Sequence, residues 1–113
     1  MDSFYITINH KKIKVQKLKT FKEKLKGFRL QLEPIKSGIC YCKKKSINTY
    51  FLCQNIDIVM TNKEHKVLYI YQNIRSEKFI FRKKKVYYIY ELPAFSTKGL
   101  QIGDTLANDA DFD

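Results

Sequence analysis

Apolar and polar residues alternate at the start of the chain. Residues 4–8 place Phe4, Ile6 and Ile8 on one side, and residues 12–18 place Ile13, Val15 and Leu18 close to one side of a second run. The polar Asn9, His10 and Lys11 between them predict an opening β-hairpin. Thr20 then stands three residues before Glu23, with Phe21 and Leu25 as an apolar stripe and Gly27 beyond them. That is a capping box followed by a stop, and it predicts a helix of about two turns. Past the Glu33-Pro34 break, residues 39–42, 47–52, 56–60, 67–72, 79–82 and 86–92 read as strands. Their separators are polar: Lys43, Lys44 and Lys45, then Gln54-Asn55, residues 61–65, and Lys83, Lys84 and Lys85.

Two of these strands are apolar on both faces. Val67, Tyr69 and Tyr71 oppose Leu68 and Ile70, and Val86, Tyr88 and Tyr90 oppose Tyr87 and Ile89. Strands of that kind lie in the middle of a sheet or cover a pocket. Pro93 ends the last strand, and residues 107–113 carry three Asp and little apolar mass, the pattern of a frayed, disordered tail. The expected architecture is one mainly β domain over residues 1–106, a β-sandwich or partly closed barrel, with one short helix in its N-terminal half. Its expected core holds Phe21, Leu25, Ile47, Phe51, Ile58, Val67, Ile70, Ile89 and Leu92.

Composition adds charge. The chain has 113 residues and a formal net charge of +11, with 21 basic against 6 acidic residues through Tyr90 and 1 against 5 beyond it. Such a field attracts nucleic acid, anionic lipid or acidic protein. All the basic residues except Arg29, Arg75 and Arg82 are lysine. The chain is also rich in Ile, Tyr and Asn, which accords equally with low-GC codon usage, and lysine lacks the planar fork that arginine presents to phosphates and bases. No uncharged apolar run reaches the roughly 18 residues of a membrane span, and no basic stretch leads into an apolar core at the start. Cys40, Cys42 and Cys53 are an odd set without a disulfide framework. These features predict a cytoplasmic monomer or weak dimer with reduced thiols.

Candidate chemistry is sparse. Cys40, Cys42 and Cys53 read better as small buried hydrophobes than as zinc ligands. His10 and His65 fall in predicted exposed loops, with no nucleophile beside them in sequence. Tyr-rich strands suit a stacking platform, although alternation sends about half of those rings into the core.

The ordered motifs Tyr50-Phe51-Leu52, Ile56-Asp57-Ile58-Val59, Lys66-Val67, Glu91-Leu92-Pro93-Ala94 and Gly103-Asp104 resemble the domain-of-unknown-function family 192. That family shows a histidine-threonine-aromatic-aromatic-methionine run, an isoleucine-aspartate strand, a glutamate-leucine-proline-alanine-glycine motif and a glycine-aspartate turn. Leu25-Lys26-Gly27-Phe28 is similar to its arginine-glycine-leucine-methionine step. The resemblance implies a compact β-rich sandwich or barrel with a short helix, and no activity. The chain departs from the pattern where Asn48 replaces the histidine, Leu52 the methionine and Phe95 the glycine after Ala94. Proton chemistry at the histidine position is therefore lost.

These readings predict a non-catalytic module that binds a small ligand or a protein, without cofactor or metal, through Asn48, Tyr50, Asp57 and Glu91. The alternative is a basic single-stranded nucleic-acid binder that uses Lys43, Lys44, Lys45, Lys83, Lys84 and Lys85 with exposed tyrosines. More distant is an enzyme built on a cluster of Asp57, Glu91 and Asp104.

Overall fold

The computed structural model describes residues 3–18, 33–42, 46–48, 53–75, 78–81 and 83–112. The strands are β1 (Ser3–Ile8), β2 (Lys11–Leu18), β3 (Gly38–Cys42), β4 (Ser46–Asn48), β5 (Ile56–Thr61), β6 (Val67–Ile74), β7 (Phe79–Phe81) and β8 (Tyr88–Pro93). Six of them form one sheet in the order β1-β2-β3-β8-β5-β6, while β4 and β7 pair separately. The sheet is mainly β architecture without barrel closure. A single 3-10 helix, Asp109–Phe112, follows the strands among the described residues. The helix expected at residues 20–27 lies outside them.

The hairpin of β1 and β2 forms in the expected place. Asn9 and His10 both take positive φ, 50° and 67°, which matches the right-handed twist of flanking strands in a two-residue turn. β2 then pairs parallel with β3, whereas every other pairing in the sheet is antiparallel.

Side chains on the two faces of this sheet fill two cores. Phe4, Ile6, Val15, Cys40, Val59, Tyr90 and Leu92 share one face, which we call the front. Ile39, Tyr41, Ile56, Ile58, Met60 and Ile89 share the back, where Ile80 of β7 packs against them. β5 and β8 are buried along both faces, as central strands must be.

β8 is central, whereas β6, whose pattern was read as that of a strand that is central or covers a pocket, lies at the sheet edge. Its apolar character has another cause. Residues 103–105 run beside its first residues, with the Val67 N–H bonded to the Asp104 carbonyl and the Gly103 N–H to the Val67 carbonyl. Val67 is thereby buried at an edge, while Tyr69 is exposed.

Of the expected core, Ile58, Val67, Ile89 and Leu92 are fully buried. Ile70 is partly buried, Phe21, Leu25 and Phe51 lie outside the described residues, and only the backbone of Ile47 is described. The end of the chain corrects its composition-based expectation. Leu106 and Ala107 are buried, and Phe112 packs against the front core, because one aromatic ring outweighs the local polarity of its neighbours.

Candidate ligand-binding cleft

Asp57 is fully buried near the start of β5, a costly position for a carboxylate unless every oxygen is bonded. Its Oδ1 accepts from the backbone N–H groups of Asn73 at 2.8 Å and Phe95 at 2.9 Å. Its Oδ2 accepts from the Thr97 N–H at 3.1 Å and the Thr97 hydroxyl at 2.6 Å. Gln72 in turn donates to that hydroxyl at 3.0 Å. One side chain thus ties β6 to the turn that follows β8.

The β6 end of this tie is a bulge. Ile56 pairs with Ile74 and Ile58 with Tyr71, so β6 carries one residue more than β5 across that step. Asn73 takes φ 53° there, a conformation Asn tolerates better than most residues. Asn55 donates to its side-chain oxygen at 2.8 Å.

The bulge forms the rim of a cleft of about 340 Å³ lined by Tyr71, Asn73, Ile74, Arg75, Lys78 and Ile80. Tyr71, Ile74 and Ile80 all pack toward the back core, which gives the cleft an apolar floor. Arg75 and Lys78 add positive charge beside an amide. This size and mixture suit a small ligand with an apolar body and an anionic group.

The residues selected from sequence do not assemble into one site. In the β5–β8 register, Asp57 faces Leu92 and Ile58 faces Glu91. Leu92 belongs to the front core and Ile58 to the back core, so Asp57 and Glu91 project from opposite faces of the sheet. Glu91 is buried between Ile39 and Ile58. Asp104 is exposed, accepts the Gln101 N–H at 2.9 Å and closes the turn that contains Gly103, φ 98°. A joint carboxylate site is therefore corrected by strand parity. Asn48 pairs through its backbone with Phe79 on β7. Tyr50, Lys43, Lys44 and Lys45 lie outside the described residues. Lys83, Lys84 and Lys85 are exposed and lead toward β8 at the end of the sheet where Cys42 faces Tyr88.

Two further expectations change. His65 is buried rather than exposed: its ring stacks on Tyr88 and Phe112 with centroids 4.9 and 5.1 Å away, and Nε2 lies 3.0 Å from Asp109 Oδ1. Cys40 is buried as a small hydrophobe, but Cys53 is exposed. Burial also pushes the Tyr90 phenol far above its ordinary range, with the neighbouring Cys40 adding to the effect.

The cleft is lined by one stretch of chain, Tyr71 to Ile80, and sequence reasoning reached it only as far as reading the two-faced 67–72 strand as central or as covering a pocket. Its one local signal was Gln72-Asn73, a polar pair that interrupts the apolar run of β6. Among the described residues, no group of three or more His, Cys, Asp or Glu could hold a metal ion, and no helix is long and apolar enough to cross a membrane.

No protein-family model and no curated protein matches the sequence. Solved structures share its fold. A protein of unknown function from Novosphingobium aromaticivorans DSM 12444 superposes with a TM-score of 0.77 at 15% identity, covering 93% of this chain and 83% of its own. A candidate transcription regulator from Sinorhizobium meliloti 1021 gives 0.78 at 15% identity, with 93% and 91% covered. At that identity the likeness is one of fold.

Proposed function

We propose that the protein is a non-catalytic binding module whose ligand face is the cleft between β6 and β7. The observation that carries this reading is the meeting of an apolar floor, Tyr71, Ile74 and Ile80, with the two cations Arg75 and Lys78 at a rim fixed by the Asp57 bonds. Its ligand is a small anion with a planar or apolar body. Asp57 serves as a positioning residue, since it touches the backbone of the rim rather than the cleft itself. A preset rim reduces the ordering cost of binding.

Calorimetric titration with 1-naphthyl phosphate tests the reading. The expected outcome is saturable one-to-one binding, weakened at least tenfold by the double change Arg75→Ser and Lys78→Ser in a variant that still unfolds cooperatively. Equal binding by the parent and the double variant contradicts it.

Single-stranded nucleic acid is the second reading. It is favoured by the exposed Lys83, Lys84 and Lys85 and by Lys63, whose Nζ lies 6.0 Å from the ring centre of Tyr87 on the loop that follows them. The description of the Sinorhizobium meliloti neighbour as a candidate regulator accords with it. Lysines without a planar fork give mainly salt-sensitive, sequence-independent attraction, so this reading ranks second.

The Ile56-Asp57 strand pairs through its backbone with Leu92 and Pro93, and the Asp57 carboxylate accepts the Phe95 N–H, so these motif segments are neighbours. That adjacency supports placing the chain as a divergent member of domain-of-unknown-function family 192. A cytoplasmic, monomeric or weakly dimeric state accompanies the proposal.

A further inference from the structure

The front of the sheet holds a second arrangement, on the face opposite the cleft. The ring of Phe112 sits among three others, with centroids 4.5 Å from Tyr88, 5.0 Å from Phe4 and 5.1 Å from His65. The Nζ of Lys17 lies 5.3 Å from the centre of the Phe112 ring and 5.8 Å from that of Phe4, and it also donates to the Asp111 carbonyl oxygen. His65 Nε2 meets Asp109 Oδ1 at 3.0 Å. The segment is shaped for these contacts by its own turn, in which the Asp111 carboxylate accepts the Asn108 N–H at 3.0 Å.

The receiving groups are built, while the segment they hold is short. Phe4, His65 and Tyr88 are each more than nine-tenths buried. His65 holds φ 67°, and its buried Nδ1 has no hydrogen-bond partner among the described residues. By contrast the Asp109 side chain is 92% exposed, and residues 109–112 make only one turn. A turn of that length has little stability of its own, so its position depends on what it touches. The contacts define a chemical pattern: a carboxylate for His65, an aromatic ring three residues later for the slot, and a backbone carbonyl between them for Lys17.

We propose that Phe4, Lys17, His65 and Tyr88 form a docking groove for a short acidic peptide of the pattern Asp-x-x-Phe on a partner protein, and that residues 109–112 occupy it in cis. Tethering gives the internal segment an effective concentration of the order of millimolar, so the partner segment binds measurably only when it displaces the internal one or when that one is weakened. Charge agrees with the assignment, since an acidic segment sits on a chain that is strongly basic through Tyr90.

The test uses the full chain and the synthetic peptide Ala-Asn-Asp-Ala-Asp-Phe, followed by calorimetry and by amide chemical shifts. The parent is expected to bind it at millimolar affinity or weaker. Phe112→Ala is expected to bind at least tenfold more tightly, with shifts at Phe4, His65 and Tyr88, and adding Lys17→Glu is expected to remove the gain. Should Phe112→Ala fold poorly, Asp109→Asn keeps the ring and is expected to give a smaller gain at the same amides. No gain in either variant overturns the proposal, as does a gain that Lys17→Glu leaves intact. A peptide-resistant dimer formed by exchange of residues 109–112 between copies also overturns it, because the groove then serves self-association.

Discussion

Asp57 and Phe95 show how single residues set the geometry around the cleft. Asp57 accepts four hydrogen bonds with no exposure to solvent. Asn at this position keeps one acceptor oxygen but turns an NH₂ toward the donors of Thr97. Bonds to buried charged groups and buried donors left unpaired each weigh roughly 1–3 kcal/mol, so Asp57→Asn is expected to destabilise the fold by about 3 kcal/mol in urea unfolding. Phe95 presents the opposite case. It holds φ 64° and is 63% exposed, at the position where the resembled family carries glycine. A left-handed non-glycine residue costs roughly 1–2 kcal/mol, and glycine gives back part of that through the unfolded chain. Phe95→Gly is therefore expected to raise stability by about 0.5–1 kcal/mol, read as an upward shift of the urea midpoint. The unusual residue was visible in the sequence; the backbone conformation that gives it meaning was not.

Among the elements, those specified by local pattern were legible. The β1–β2 hairpin follows from alternation around Asn9 and His10, and the central place of β8 follows from apolar residues on both its faces. β5 was harder to rank. Asp57 interrupts its apolar run, and only the bonds to Asn73, Phe95 and Thr97 make that residue compatible with the middle of a sheet. β6 is not central, as one of its two readings had it; loop residues cover its start and its later residues line the cleft, which accords with the other. The parallel pairing of β2 with the next strand, β3, needs a crossover connection, and the helix pattern read between Leu18 and Gly38 is the sequence feature that accords with one. Gly38 is the physical trace of how closely β3 approaches β8. A Cβ there would run into Leu92 Cδ2 and come within 3.1 Å of the Glu91 carbonyl oxygen. Overpacking of that kind costs typically 1–3 kcal/mol, so Gly38→Ala is expected to lower stability by about 2 kcal/mol. An unchanged melting curve would mean that the sheet centre is looser than this packing requires.

For the whole molecule, the sheet keeps two candidate surfaces apart, the β6–β7 cleft at the back and the groove under Phe112 at the front. Neither was read from the sequence: the cleft needs the β6 bulge to turn one stretch, Tyr71 to Ile80, around a shared floor, and the groove joins Phe4 with His65 and Tyr88 from elements far apart along the chain. The residues selected in advance were those with conspicuous chemistry, and for Asp57 and Asp104 that chemistry is satisfied by nearby backbone. Net charge was legible from the start, yet it does not choose between the cleft and a diffuse basic surface. Amide chemical-shift mapping of the parent protein during titration with 1-naphthyl phosphate makes that choice at 150 mM salt, where loosely held ions are screened over about 8 Å. The account predicts saturable shifts at Tyr71, Asn73, Ile74, Arg75, Lys78 and Ile80, with Lys83, Lys84 and Lys85 unmoved. Shifts centred on those three lysines and on Lys63 and Tyr87, or none at millimolar ligand, would contradict it.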